Sequence, residues 1–350
     1  MGKYRFDEIA INSTQKKKPI EEDRFHYVGL EHIDPECFEI QQYGSEVAPV
    51  GEKLVMKKGD ILFGKRRAYQ RKVAIAPCDG IFSAHGMVLR PKTGVIDSSY
   101  FPFFISSDTF METAIRISVG GLSPTINWKD LAKQEFELPS LEEQKNLADK
   151  LWAAYRLKEA YKKLLIATDE MVKSQFIEMF GNPTNETVGK LGNELFSFAS
   201  GKANIKSNLD PSFQYNCYGG NGITGKSKEY LLKDKTIVIG RVGEYCGCVH
   251  QTSDYCWVTD NAIYLKTYSD IYRFKFIYYM FVMMDFHRYA SETGQPKITQ
   301  APLLSCTYPI PTLEAQDIFI SIAEQADKSK FELKQCIENI DKVIKSLING

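Results

Sequence analysis

The chain has 350 residues, 43% of them hydrophobic, and its 44 basic side chains balance 44 acidic ones. This length predicts two or three domains with real cores, and the balance excludes bulk charge as the source of any nucleic-acid affinity. The sequence has neither an apolar run long enough for a membrane span nor the apolar core of a signal peptide. Eight cysteines in such a chain are typical of reduced proteins, so we expect a cytoplasmic location.

A basic stretch, KKGDILFGKRRAYQRK, occupies residues 57–72. Its many cations face a single acidic residue, Asp60. Such a cluster suits contacts with phosphates, and arginine reads the edge of guanine with two hydrogen bonds. A solvated hairpin is the alternative interpretation. The candidate DNA contacts in this stretch are Lys65, Arg66, Arg67, Arg71 and Lys72.

A long helix is predicted from about residue 142 to residue 180. Ser140 and Glu143 have the spacing of a capping box, and Gly181 followed by Pro183 ends the pattern. Apolar residues recur at intervals of three and four along it, which indicates a coiled-coil seam. The predicted seam consists of Leu147, Leu151, Ala154, Tyr161, Leu165 and Val172.

The stretch GNGITGKS, residues 220–227, fits the phosphate-loop pattern G-x-x-x-x-G-K-[ST]. A working phosphate loop follows a buried strand and opens a helix, whose N-terminus then binds the phosphates. Here the preceding residues are polar and aromatic, and the following residues leave no room for a helix before the apolar run at 236–239. We therefore interpret the stretch as a glycine-rich loop.

Cys246, Cys248, His250 and Cys256 lie close together in the sequence. Their C-x-C-x-H spacing differs from that of common zinc sites, which use two to four residues between cysteines. Residues 246, 248 and 250 would share one face of a strand, and small buried thiols are the favoured interpretation. No metal site is predicted.

The second half of the chain also offers candidate DNA contacts. They are polar or basic residues in glycine-rich segments, and solvated loops are the alternative interpretation. These candidates are Asn221, Lys226, Lys228, Arg241, Gln295 and Lys297.

The aromatic stretch YRFKFIYYMFVMMDFHRYA occupies residues 272–290. The apolar runs between its charges are too short for a membrane span, so the stretch predicts a core helix.

A second long helix is predicted from about residue 314 to residue 348, with Thr312 as its N-cap. Its stripe keeps nearly the register of the first helix, and Lys158 and Lys330 interrupt the two stripes at the same step. The two helices are therefore expected to pair with each other. The predicted seam of this helix consists of Phe319, Ile322, Ala326, Leu333, Ile337, Ile340 and Ile344.

The chain reads as two copies of one unit. LPSLEEQ at 138–144 returns as IPTLEAQ at 310–316, and SPTI at 123–126 returns as QPKI at 295–298, both offset by 172 residues. ILFGK at 61–65 matches IVIGR at 237–241, and SAHGMVL at 83–89 matches TDNAIYL at 259–265, both offset by 176. Each copy combines short strand-like runs with a helical aromatic stretch, which indicates mixed α/β domains.

These repeated motifs, together with YGGNGITG at 218–225, resemble the specificity (S) subunit of Type I restriction–modification systems across essentially the whole chain. The resemblance implies an α+β fold. Two mixed α/β target-recognition domains are separated by two long helices that form an antiparallel intramolecular coiled coil, with a pseudo-two-fold repeat. The implied boundaries are 1–141 and 182–313 for the domains, and 142–181 and 314–350 for the helices.

The resemblance also implies a function. Each domain would enter the major groove at one half of a split site in double-stranded DNA, and the coiled coil would set the distance between the halves. The implied partners are two methyltransferase (M) subunits and restriction (R) subunits. S-adenosylmethionine, ATP and magnesium would bind those partners, and this chain would carry no cofactor.

No catalytic residue is predicted in this chain. The sequence contains neither an N-P-P-Y/F run for adenine methylation nor a glycine-rich cofactor loop after a strand. Two alternatives remain open: a divergent or fused modification enzyme, and a coiled-coil adaptor that reads no sequence.

Overall fold

The computed structural model describes residues 1–183, 189–204, 208–291 and 294–349. The chain divides into two compact units, Met1–Lys162 with Gln335–Gly350 (unit 1) and Lys163–Lys334 (unit 2). The divisions fall within the two long helices. Each unit therefore contains a globular part and a portion of each long helix.

The elements from the N-terminus to the end of the first long helix are mostly short strands, with three consecutive short helices after β9. They are β1 (Gly2–Arg5), α1 (Phe6–Ile9), β2 (Ala10–Ser13), β3 (Lys16–Lys17), β4 (Tyr27–Val28), β5 (Lys53–Met56), β6 (Ile61–Phe63), β7 (Val73–Ile75), β8 (Gly80–Phe82), β9 (Met87–Pro91), α2 (Phe101–Ser106), α3 (Asp108–Arg116), α4 (Trp128–Leu131), β10 (Glu135–Leu138) and α5 (Leu141–Phe180). Short 3-10 turns also occur at Glu21–His26, Leu30–His32 and Ala68–Gln70.

Two four-stranded sheets form the centre of unit 1. Their strand orders are β2-β9-β6-β7 and β3-β5-β8-β4, and β1 pairs with β10. Strand β6 has buried side chains on both of its faces. Successive side chains of a strand point to opposite faces, so they enter two different clusters. Ile61 and Phe63 join the cluster of aromatic side chains from the helices, whereas Leu62 joins a second cluster with Leu54 and Phe82.

The described elements from residue 189 onward follow nearly the same order. They are β11 (Lys190–Leu191), α6 (Gly192–Leu195), β12 (Phe196–Ser200), β13 (Tyr215–Gly219), β14 (Gly222–Ser227), β15 (Ile237–Gly240), β16 (Val249–Gln251), β17 (Trp257–Val258), β18 (Ala262–Tyr268), α7 (Phe274–Met283), α8 (Gln300–Ser305), β19 (Thr307–Tyr308) and α9 (Leu313–Asn349). A further 3-10 turn covers Phe286–Tyr289.

The sheet β12-β18-β15-β16 has the topology of β2-β9-β6-β7 in unit 1. Strand β15 also alternates between two clusters. Ile237 and Ile239 pack with the aromatic side chains, and Val238 packs with Tyr218 and Val258. The internal repeat is therefore present in the topology of this sheet and in the core of both units. The predicted aromatic core helix is α7, which buries Phe276, Ile277 and Met280 in this core.

The long helices begin at predicted caps. Ser140 and Glu143 form the capping box, with the Ser140 amide donating to Glu143 Oε2 at 2.9 Å and the Glu143 amide donating to Ser140 Oγ at 3.3 Å. Thr312 Oγ1 accepts from the Ala315 amide at 3.3 Å. Gly181, with a φ of 81°, follows the end of α5 in the left-handed conformation that favours glycine.

A buried glutamine fastens each long helix to its own globular part. Gln144 Nε2 donates to the carbonyls of Val95 (3.1 Å) and Pro139 (2.9 Å), and its Oε1 accepts from the amide of Asp97 (2.8 Å). In unit 2 the same three bonds join Gln316 to Ile271, Pro311 and Arg273. The last residue of each repeated LPSLEEQ-like motif thus satisfies buried backbone groups of the domain before it.

The two long helices pack against each other in antiparallel directions. In unit 2, Asp169 pairs with Lys330 and Phe176 packs on Phe319, so the partner's number falls as α5 advances. In unit 1, Lys158 of α5 pairs with Asp341 of α9. The predicted pairing of the two helices is confirmed, and it joins portions that are far apart in the sequence.

Candidate nucleic-acid interface

In unit 1 the residues after β6 are bound to a segment far along the chain. The Ile126 amide donates to the Lys65 carbonyl at 3.0 Å, and the Arg67 amide donates to the Pro124 carbonyl at 2.8 Å. Arg66 lies between them in an isolated bridge to residue 125. We call this backbone arrangement, residues 65–67 with 124–126, the clasp of unit 1. It fixes the backbone of three predicted DNA contacts.

The segment before the clasp forms a short hairpin loop. Val119 and Thr125 exchange two backbone hydrogen bonds of 3.0 and 2.9 Å. Arg67 adds a side-chain anchor, since its Nε and Nη2 donate to Ser123 Oγ at 3.2 and 3.1 Å. Arg67 itself has a φ of 55°, which turns the chain after the strand. The loop at 118–125 is therefore held against the strand end by both backbone and side chain.

The clasp of unit 1 lies within a group of cations. Arg66 Nη1 is 3.4 Å from Nε2 of His85. Partial burial, and then the charges of Arg66, Lys65 and Lys53, lower the pKa of the His85 imidazole. Burial, and then the charge of Lys16, lower the pKa of Lys65. These groups repel one another's protonated forms, so the surface favours an approaching anion.

Arg71 and Lys72 bind other segments of unit 1 in this structure. Arg71 Nη2 donates to the carbonyl of Ser106 at 3.1 Å and pairs with Asp108 at 2.5 Å. Lys72 Nζ donates to the carbonyl of Leu30 at 2.6 Å. The structure therefore does not group them with Lys65, Arg66 and Arg67. Their contact with DNA stays a prediction.

Unit 2 contains the same clasp. The Ile298 amide donates to the Arg241 carbonyl at 2.9 Å, and the Gly243 amide donates to the Pro296 carbonyl at 2.9 Å. Val242 forms the isolated bridge, to Lys297. This arrangement, residues 241–243 with 296–298, brings together predicted contacts that the sequence separates: Arg241, Gln295 and Lys297.

The tip of the β13–β14 hairpin lies beside this second clasp. A Cβ atom added at Gly240 would come within 2.6 Å of the Gly220 carbonyl oxygen and within 2.1 Å of the Tyr245 carbonyl oxygen. Only glycine permits this close approach of backbones. It places Asn221, which is exposed at the turn, next to the strand that leads into Arg241.

The hairpin also explains the phosphate-loop match. Residues Gly222–Ser227 form a strand that pairs with Tyr215–Gly219, with Lys226 opposite Asn216. Lys226 Nζ donates to Asn216 Oδ1 at 2.7 Å across the ladder. Lys228 is exposed beyond the end of the strand. The arrangement is strand–turn–strand, and the structure does not group Lys226 and Lys228 with the clasp.

The comparison with known families identifies the fold to which both clasps belong. A sequence model of the Type I restriction modification DNA specificity domain matches residues 8–167 and, separately, residues 186–342. The chain belongs to this family. The two matched ranges correspond to the two copies of the internal repeat.

The chain is also similar to curated specificity subunits of Type I restriction enzymes. The Type I restriction enzyme EcoprrI specificity subunit of Escherichia coli is 29% identical over 124 residues, 35% of this chain. The EcoDI specificity subunit of the same organism is 28% identical over 142 residues, 40% of this chain. Each alignment spans 31% of the relative's length.

Solved structures share the fold along the whole chain. The Type I restriction–modification S subunit from M. genitalium has a TM-score of 0.60 at 16% identity, and the match covers 99% of this chain and 95% of that one. A chain solved in work on complex assembly and conformational transition of the type I R-M system also has a TM-score of 0.60 at 16% identity, covering 99% and 96%. The predicted fold class is confirmed.

Sequence reasoning missed several residues of the specificity-domain surface. His85, Lys16 and Lys53 contribute to the charged group in unit 1. Ser123 anchors Arg67, and its position corresponds to Gln295 in the repeat of SPTI and QPKI. Aligning the two copies of the family's domain residue by residue would have identified Ser123. The charged group required the tertiary structure.

The cysteine-rich segment of the second specificity domain is not arranged as a metal site. Among the described residues, no group of three or more His, Cys, Asp and Glu side chains is placed to hold a metal ion. The strand here covers only Val249–Gln251, so Cys246 and Cys248 precede it, contrary to the expected alternation on one strand. Burial raises the pKa of the Cys246 and Cys256 thiols, which keeps them protonated.

The predicted seam residues of the long helices are all buried or half-buried, although their role as a continuous seam stays a prediction. In α5 these are Leu147, Leu151, Ala154, Tyr161, Leu165 and Val172. In α9 they are Phe319, Ile322, Ala326, Leu333, Ile337, Ile340 and Ile344.

In the part of the chain that the structure describes, no helix combines the length and apolarity needed to span a membrane.

Proposed function

We propose that this chain is the DNA-reading specificity subunit of a Type I restriction–modification complex, and that each unit reads one half of a split site in double-stranded DNA. The observation that carries the proposal is the clasp, which has the same backbone bonds in both units and holds basic residues at its surface in each. Cations fixed in this way can neutralise phosphates and position a protein on the duplex.

The side chains presented by the two clasps differ, which suits two different half-sequences. Arg66 and Arg67 of unit 1 correspond to Val242 and Gly243 of unit 2 at the offset of 176 residues. Ser123 and Thr125 correspond to Gln295 and Lys297 at the offset of 172. Arginine is suited to guanine and glutamine to adenine in the major groove. A shared backbone with exchanged side chains would read different bases.

The proposal includes partners. Two M subunits would use S-adenosylmethionine to methylate adenine, and R subunits would use ATP and magnesium. A chain with a pseudo-two-fold repeat suits two copies of one partner, one beside each unit. This chain would then be non-catalytic and would work in the cytoplasm, where the DNA lies.

The test is DNA binding by the assembled complex after Arg66→Ala and Arg67→Ala together. If both arginines contact phosphates, affinity should fall similarly for all sequences and the salt slope should decrease by up to about two units. If one reads guanine, the loss should be about 1–3 kcal/mol and confined to one half-site. Because Arg67 also anchors Ser123, Arg66→Ala alone separates the charge from the loop.

The matched control removes two charges from the other end of β6. Lys57 and Lys58 are exposed in the turn that precedes this strand, whereas the clasp follows it. Lys57→Ala with Lys58→Ala should leave specific affinity nearly unchanged. Equal losses in the two double variants would remove the clasp from the interface.

The alternatives give different results. A modification enzyme would methylate DNA with labelled S-adenosylmethionine in the absence of other subunits. An adaptor would protect no split site in a footprint of the assembled complex. Either result would contradict the proposed function.

A further inference from the structure

The most exposed large apolar side chain of the unit 1 loop lies at its tip. Leu122 is 96% exposed, directly after Gly120 and Gly121. Gly120 has a φ of 115°, so the turn needs a glycine there. The two bonds between Val119 and Thr125 close the base of the loop. A short, closed hairpin therefore projects a leucine into solvent.

This leucine is held close to the cationic group. The hydroxyl of the next residue, Ser123, accepts two hydrogen bonds from the Arg67 side chain. The carbonyl of the following residue, Pro124, accepts a hydrogen bond from the Arg67 amide. Arg66 is bridged to Thr125 in the same loop. An isolated exposed leucine is ordinary, but here it stands on an anchored loop beside cations. The charge around it is complementary to a polyanion.

We propose that Leu122 is a specificity-determining residue that packs against the C5-methyl group of a thymine in the half-site read by unit 1. The inference rests on the proposed function. The thymine methyl is the apolar group on the major-groove edges of the base pairs, and apolar side chains are its partners. The major groove, about 12 Å wide, admits a two-stranded ribbon, whereas the minor groove is about half as wide.

The contact belongs to one half-site. Gly294 takes the position of Leu122 in unit 2 at the repeat offset of 172 residues. Glycine has no side chain to meet a methyl group there. The same fold therefore provides an apolar base contact in unit 1 that unit 2 lacks at the matching position.

The experiment compares thymine with deoxyuridine, which lacks only the methyl group. The cognate site is first taken from the methylated motif, and each thymine of both halves is replaced in turn in DNA bound by the assembled complex. With wild-type protein, one replacement in one half should weaken binding about four-fold, the value of one buried methyl-sized group. Leu122→Ala should weaken binding to thymine DNA by at least that factor and should show no further loss with deoxyuridine.

Two variants serve as controls. Leu122→Met keeps an apolar side chain and should retain most of the methyl sensitivity. Ile11→Ala removes apolar atoms from a residue that is 49% exposed on β2, paired with Arg90 at the far end of the sheet from the clasp. It should leave both affinity and methyl sensitivity unchanged. Leu122→Ala should also leave binding to scrambled DNA unchanged, because that binding depends on phosphate contacts.

Several results would overturn the inference. A split site with no thymine on either strand of either half would do so, as would wild-type binding that ignores every methyl deletion. Methyl sensitivity that persists in Leu122→Ala would assign Leu122 another role. In all these cases the complex would still bind its split site. Absence of any sequence-specific binding would instead contradict the proposed function itself.

Discussion

Lys158 and Asp341 form an ion pair between the two long helices of unit 1, with 2.5 Å between Nζ and Oδ1. The lysine side chain is only 7% exposed and the aspartate 31%. Unit 2 contains the matching pair, Lys330 with Asp169, at 2.7 Å. Both residues of the first pair are related to those of the second by the repeat offset of 172. The ion pair is thus part of the repeated unit, placed where each apolar stripe is interrupted.

Asp341→Ala should destabilise the protein more than Lys158→Met. Removing the carboxylate leaves a buried ammonium without its partner, and the partial exposure of Asp341 reduces the cost to about 2 kcal/mol. Lys158→Met keeps the packed stem and leaves an aspartate that reaches water, so about 1 kcal/mol or less is expected. Thermal unfolding measures the difference, with about 2–4 °C per kcal/mol for a unit of this size.

Asp169→Ala is the matched control for this prediction. Asp169 is 66% exposed, and Lys330 also pairs with Asp327 at 2.9 Å. Its loss should change stability by about 0.5 kcal/mol or less. Equal shifts for Asp341→Ala and Asp169→Ala would show that burial of Lys158 does not determine the cost.

Sequence periodicity was sufficient for the helices but not for their polar partners. The repeated motifs identified Gln144 and Gln316 by position, and nothing local indicated that each would be buried with three backbone partners. Lys158 and Lys330 were recognised as interruptions of the stripes, while their aspartates lie on another helix. Local pattern specifies which face is apolar. It does not specify which distant group satisfies a polar side chain on that face.

The basic stretch at 57–72 shows the same limit at the candidate site. Its charges are adjacent in sequence, but the turn at Arg67 and Arg71, both with positive φ, separates them in space. Arg66 is directed towards His85, and Arg71 binds Asp108. The composition of the stretch could be read from the sequence. The division of its cations between the clasp and other segments of unit 1 depends on partners up to several tens of residues away.

DNA binding should depend on pH through His85. Burial and the charges of Arg66, Lys65 and Lys53 lower the pKa of this imidazole in the free protein, and a bound phosphate would raise it again. The complex would then take up a proton. The added affinity should be complete below the pKa of the free protein and lost as the pH rises through the pKa of the complex.

The measurement is the dissociation constant between about pH 5.5 and pH 7.5, a window that spans the ordinary pKa of a histidine side chain. His85→Asn introduces the residue found at the matching position 261. It should reduce the slope of the logarithm of the dissociation constant against pH by up to about one, which corresponds to one proton. An identical slope in the variant and wild type would exclude His85 from the titration.

The isolated chain should neither hydrolyse ATP nor need it for DNA binding. In the GNGITGKS stretch the strands pair with each other in a hairpin, so the loop does not present the row of free amides that binds phosphates in a phosphate loop. Lys226→Ala should therefore leave nucleotide affinity undetectable, as measured by calorimetry with magnesium and ATP. ATP binding that disappears in Lys226→Ala would show that the hairpin opens to form a nucleotide site.

Inserting four helical residues between Lys162 and Lys163 should lengthen the DNA spacer. This position is where the chain passes from one compact unit to the other within α5. Four residues add about 6 Å of helix, and a coiled coil absorbs such an insertion by local unwinding. If α5 sets the distance between the reading units, the methylated motif should keep both half-sequences and gain about one or two unread base pairs.

The readout is the motif methylated in cells that carry the variant and its methyltransferase partner. A second variant with four residues also inserted between Lys334 and Gln335, the other border of the units, lengthens both helices by the same amount and should give the same longer motif at higher yield. Each unit keeps its own clasp in both variants, so the half-sequences should not change. A motif with altered half-sequences and the original spacing would place α5 in base reading and contradict its role as the spacer.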